Sequence, residues 1–250
     1  MRMVLLIAVL LAPLAARAAE PAEAPAVDVA LVLVSDVSRS IDDSEFRLQK
    51  DGYRAAFADP AVVAAIQGGT QGAIVVSYVE FASPGDVRTV LDWTMIRDAA
   101  TARAFADRME AAPRSFWGRT AIGDGIAMAT QNLATSGYKS ARQVIDVCGD
   151  GTSNAGSNVE EARDRAIAAG ITVNGLTIIN DHPVSWAYAH VQPPGGLTAW
   201  YRAHVTGGPG SFVLEIHDFA SFGRAMTRKL VDEIAGGPPG GGREVFTSIQ

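Results

Sequence analysis

Residues Val27 to Val34 form a nearly continuous apolar run that stops at the polar pair Ser35-Asp36. A run without polar alternation describes a strand buried on both faces, the kind found inside a mostly parallel sheet covered by helices. The pattern then changes to helical spacing. Asp42 and Glu45 stand at capping-box separation, and Phe46, Tyr53, Ala56 and Phe57 mark one face of a helix.

The same alternation continues along the chain. Ala73 to Phe81 reads as a second inner strand, and Val87 to Leu91 as a short edge strand after the Pro84-Gly85 turn. Ala102, Phe105 and Met109 mark a helix; after the loop Pro113 to Arg119, Ile122, Ile126, Ala129 and Leu133 mark a stronger one, with Thr120 just before it. Val144 to Cys148 is a strand, Val159, Ala162, Ala166 and Ala169 line a helix that ends at Gly170, and Thr172 to Ile179 is the next strand. Residues 180–210 read as an irregular insertion around a short helical stretch, Leu197 to Val205, and as the part best placed to shape specificity. Ser211 to Ile216 and the helical face of Phe219, Phe222, Met226, Leu230 and Ile234 complete the series. The expectation is an α/β fold with a doubly wound, mostly parallel six-stranded sheet, flanked by helices and carrying one short antiparallel edge strand.

The ends carry other signals. Met1-Arg2-Met3, the apolar Val4 to Leu11 and the small-residue pattern Ala16-Arg17-Ala18 describe a secretory signal peptide over residues 1–18. The apolar run is short of the roughly 20 residues a membrane span needs, and Pro13 interrupts it. Residues 19–26 then form a linker, 27–235 the domain and 236–250 a flexible Gly/Pro-rich tail. A periplasmic or extracellular protein without membrane insertion is expected. Losing Arg2 and Arg17 with the signal takes the formal charge from −6 to −8. So acidic a chain, with no basic stretch to neutralise phosphates, is a poor partner for nucleic acid or anionic lipid. The single cysteine, Cys148, excludes an intramolecular disulfide and reads as a buried, inert thiol in its strand.

Open α/β sheets bind their ligands beyond the carboxyl ends of the strands. Three polar clusters fall there: Asp36-x-Ser38-x-Ser40 after the first strand, Thr120 before a helix, and Asp150 in Gly149-Asp150-Gly151 after the fourth strand. All are hard oxygen donors, which suit Mg²⁺ first, and Mn²⁺ or Ca²⁺, over zinc or copper. Each cluster also has a structural reading. Ser40 or Asp42 would cap the first helix, Thr120 would cap its own, and Gly149-Asp150-Gly151 would be a turn. Asp86 and Asp124 read as solvated surface beside the same rim. Of the aromatics Trp93, Phe116, Trp117, Trp186, Trp200 and Tyr201, the pair Phe116 and Trp117 is best placed for rim contacts. His182, His190, His204 and His217 lack metal-binding spacing.

Asp-x-Ser-x-Ser, a distant Thr and a later Gly-Asp-Gly together resemble the metal-ion-dependent adhesion site of the von Willebrand factor A superfamily. The resemblance implies Ser38, Ser40 and Thr120 as inner ligands, Asp36 and Asp150 as near or water-mediated ones, and an acidic group of a partner completing the shell. Gly118 to Gly123, Asp146 to Gly151, Ala162 to Ala166, Ile171 to Leu176 and Gly207 to Phe212 look closer still to a bacterial family of secreted von Willebrand factor A-like proteins of unknown function, over roughly residues 27–235. The function implied is a metal-dependent, adhesion-type module that captures an acidic side chain of a protein partner. The alternatives are a metal-dependent phosphoester hydrolase and a scaffold with a purely structural metal. No Gly-x-Ser-x-Gly elbow or phosphate loop is present, so an enzyme is not expected.

Overall fold

The computed structural model describes residues 23–179 and 193–236. The signal-peptide reading, Trp186, His182, His190 and nearly all of the proposed tail lie outside them. The first strand, β1 (Ala26–Asp36), alternates its side chains between two cores: Val29, Leu31 and Leu33 point to one, and Ala30, Val32 and Val34 to the other. It is the middle of a six-stranded sheet whose other strands are β2 (Ile74–Phe81), β3 (Val87–Ile96), β4 (Lys139–Gly149), β5 (Thr172–Ile178) and β6 (Val213–Ile216). Their order is β3-β2-β1-β4-β5-β6, parallel throughout except for antiparallel β3 at one edge.

Helices cover both faces. On the Leu31 side lie α1 (Asp43–Ala58), α2 (Pro60–Gln67), α3 (Ala99–Ala111) and α7 (Phe222–Ala235), which bring Tyr53, Phe57, Val62, Phe105 and Leu230 into the core. On the Val32 side lie α4 (Ile122–Ala134), α5 (Val159–Ala168) and α6 (Leu197–His204), with Ile122, Ile126, Ala162 and Leu197. The helical stretch expected inside the insertion is therefore α6.

Three elements differ from expectation, the first being β4, which begins at Lys139, ahead of the expected Val144. The edge strand β3 has ten residues and runs on to Ile96, so it is not short. Beyond Leu91, Thr94 lies on the α3 side and accepts from Arg108 Nη1 at 3.3 Å, while Trp93 and Met95 pack onto the α4-side core; Trp93 Nε1 donates to Asn132 O at 3.3 Å. Helix α2 is additional. Asp59 ends α1 and caps α2 by accepting from Ala61 N, and Pro60 takes the first helical position, where its missing N–H is no loss.

Candidate metal centre

Between β1 and β4 the strand order reverses, because β1 leads on to β2 on one side and β4 returns on the other. A crevice forms at the carboxyl ends of two such strands. Register places Ser35 opposite Cys148, so Asp36 and Gly149-Asp150 leave the sheet side by side. The turn after Asp36 is pinned from outside: Val37 N donates to Phe81 O at 3.0 Å and Arg39 N to Gly118 O at 2.9 Å. Val37 and Ile41 are buried in the α1-side core.

The five side chains singled out in the sequence meet here. Asp36 Oδ1 accepts from Ser38 N at 2.7 Å, which closes the turn on itself. Ser38 Oγ is 3.1 Å from Ser40 Oγ, Thr120 Oγ1 donates to Ser38 Oγ at 3.2 Å, and Ser40 Oγ donates to Asp150 Oδ1 at 2.9 Å. All five are buried. Of the two capping alternatives at the first helix, Asp42 is the one the structure bears out, and Thr120 does not cap α4. Asp42 alone caps α1, accepting from Ser44 N and Glu45 N, while Glu45 Oε2 accepts from Asp42 N. Helix α4 begins after Ala121 with no side-chain cap, so the Thr120 hydroxyl serves the cluster.

Burial pushes the Asp150 carboxyl up to about 7, against the hydrogen bond from Ser40 and with the Glu45 charge adding to the rise. Two buried carboxylates beside three hydroxyls make a donor set of oxygen alone, which fits a hard divalent cation and is foreign to soft metals. A cation at this place would offset the electrostatic cost that burial imposes on the carboxylates. Among the described residues no group of three or more His, Cys, Asp or Glu is disposed to hold a metal. His204 and His217 are paired with Glu160 and Glu215 respectively.

Two residues carry more than their sequence reading. Asp124 is no mere solvated residue: its carboxylate accepts from Gly85 N at 3.2 Å and Ser157 N at 2.8 Å, tying two rim loops to the start of α4. Arg114 went unnoticed in the sequence and holds the Asp36–Ile41 turn. Its Nη2 donates to Val37 O, Ser38 O and Ile41 O at 2.7, 2.6 and 2.8 Å, and Nε donates to Phe116 O at 3.1 Å. The guanidinium lies 4.1 Å from the centroid of Trp117, whose ring is 50% exposed at the rim. Phe116 packs against the core instead. The only advance signal was an arginine beside two aromatics in the Pro113 to Arg119 loop.

A lysine has no planar fork to reach three carbonyls at once. Arg114→Lys is expected to cost about 2 kcal/mol in urea unfolding, the loss of one or two hydrogen bonds to a charged donor, and to weaken cation binding. An unchanged midpoint would remove Arg114 from this role.

Solved structures share the fold. The proximal thread matrix protein 1 of the mussel byssus, in a form with a zinc-occupied MIDAS motif, superposes with a TM-score of 0.59 at 18% identity over 86% of this chain and 50% of its own. The pilus adhesin SpaC of Lactobacillus rhamnosus GG gives 0.56 at 17% over 83% and 31%, and a von Willebrand factor type A protein of Catenulispora acidiphila gives 0.55 at 18% over 83% and 43%. The chain thus spans half or less of the length of these structures. At such identities the likeness is one of fold: a von Willebrand factor A-like α/β domain. None of the curated protein sequences is significantly similar to it. Residues 26–238 match the family model described as "Protein of unknown function (DUF1194)", so the chain belongs to the DUF1194 family, built on a von Willebrand factor A-like fold.

Proposed function

We propose that this protein is a secreted, metal-dependent binding module that holds Mg²⁺ through Ser38, Ser40 and Thr120, with Asp36 and Asp150 close by, and captures an acidic side chain of a protein partner. The observation that carries the reading is the convergence of these five oxygen-bearing side chains, from three separate segments, in one hydrogen-bonded cluster at the carboxyl edge of β1 and β4. The mussel protein's zinc-occupied motif supports a divalent cation as the ligand. Two carboxylates balance the charge of one divalent cation, so an incoming carboxylate would meet a site that is not over-neutralised. Half-exposed Trp117, braced by Arg114, offers an amphipathic contact beside it.

The test is capture from a periplasmic or culture extract on the immobilised protein, with Mg²⁺ and then with chelator. A partner retained by wild type in Mg²⁺, released by chelator and not retained by Asp36→Asn is expected. Equal retention under all three conditions would sink the proposal.

A further inference from the structure

Helix α6 belongs to the segment read from the sequence as an insertion, and it sends Tyr201 into the sheet. The ring occupies a slot left by two glycines on neighbouring strands. A Cβ on Gly175 of β5 would stand 3.0 Å from Tyr201 Cδ1, and a Cβ on Gly149 of β4 would stand 2.7 Å from the Tyr201 hydroxyl oxygen. That same point beside Gly149 is 3.2 Å from Asp36 Oδ2. The phenol oxygen and the Asp36 carboxylate therefore flank one glycine at the mouth of the metal centre. The helix is held firmly there. Thr198 Oγ1 lies 2.7 Å from Thr177 Oγ1 and also bonds the Glu215 carboxylate, while Leu197 and Val205 are buried on either side.

Tyr201 is fully buried, and its hydroxyl has no hydrogen-bond partner among the described residues. A buried hydroxyl left without a partner is a net cost, and phenylalanine would fill the same slot without it. The oxygen is explained if its partner arrives with the ligand.

We infer that Tyr201 is a positioning residue of the metal centre, its hydroxyl donating into the oxygen shell of the bound cation on the Asp36 side. The inference rests on the metal-binding reading above and extends it to a residue outside the five. Outer-shell donors of this kind orient the carboxylates and waters around a metal, and their loss commonly weakens affinity 10–100-fold.

The experiment compares full-length wild type with Y201F by calorimetric titration of Mn²⁺ and Mg²⁺, together with melting of both proteins in chelator. Cation affinity about 10-fold weaker in Y201F, with a metal-free melting temperature equal to or above that of wild type, is the expected result. Equal affinities would overturn the inference. So would a drop in metal-free melting temperature alongside the affinity, because it would assign the hydroxyl to packing. If wild type itself binds neither cation, the metal-binding reading fails and this inference with it; binding by wild type that Y201F matches defeats the Tyr201 role alone.

Discussion

Replacing Asp36 by asparagine is expected to weaken Mg²⁺ or Mn²⁺ binding by about 100-fold, the upper end of what single changes around a metal cost, while leaving the metal-free fold as stable as before or more so. The side chain is fully buried at the end of β1, and its Oδ1 closes the turn by accepting from Ser38 N. Asparagine keeps that acceptor and the shape, so the turn survives. What it removes is one of two buried negative charges beside Asp150, whose own carboxyl burial has already pushed to about 7. Without metal that removal is a relief; with metal it is the loss of the charge that holds the cation. Melting curves make the difference visible. At a free cation concentration 100 times Kd, wild type gains about 2.7 kcal/mol, whereas a variant bound 100-fold more weakly gains about 0.4 kcal/mol. For a domain of this size the first corresponds to a rise of about 8 °C and the second to roughly 1 °C. A metal-induced shift retained in full by Asp36→Asn would show that the cation binds elsewhere.

The parts of the fold visible in the sequence are those where burial on both sides of a strand suppresses polar residues, as in β1 and β2, or where one helix face is unbroken, as in α4. The pattern weakens where an element is exposed or short. The latter half of β3 carries the polar Asp92 and Thr94 and so resembles a loop, and α2 is an eight-residue helix whose main mark is the Asp59-Pro60 start. The five candidate ligands were legible because the sheet topology makes strand ends the meeting point and because two of the segments have characteristic spacing. Thr120 had no spacing of its own and was placed by its position before α4. Arg114 and Tyr201 were not legible as site residues. Arg114 reaches carbonyl oxygens of Val37, Ser38 and Ile41 more than seventy residues away, and carbonyls leave no trace in a sequence. Tyr201 reads as a packing aromatic until the glycines that make room for it, Gly149 and Gly175, are seen to share one slot.

Away from the metal centre, Lys229→Met is expected to destabilise the fold by about 4 kcal/mol, as removal of one partner of a buried ion pair does, or roughly 10 °C in melting temperature for a chain of this length. Lys229 on α7 is completely buried, with Nζ 3.0 Å from Asp146 Oδ1 on β4 and 2.6 Å from Glu233 Oε1 one turn along the helix. Asn174 Nδ2 of β5 donates to the same Glu233 oxygen at 2.7 Å, and the Phe212 ring lies 4.5 Å from the ammonium. Methionine matches the stem of the lysine and leaves the core filled, so the loss reports the charge. The effect depends on pH with a definite sign. Burial, and then the neighbouring Asp146 carboxylate, raise Glu233 from its ordinary 4.5 to about 7 against the pull of Lys229. Folded protein therefore keeps a proton that unfolded chain releases, and between pH 4.5 and 7 this group's contribution to stability falls as pH rises. Without Lys229 the opposing pull is gone and both carboxylates rise further. The Lys229→Met deficit in urea unfolding should accordingly be largest near pH 8 and smaller near pH 5, where protonation quenches the unpaired charge. A deficit of the same size at both values would mean that the lysine acts by packing. Replacing all three groups together by apolar residues of similar volume should recover most of the loss, since a buried ionic cluster is expensive to break and seldom expensive to remove whole.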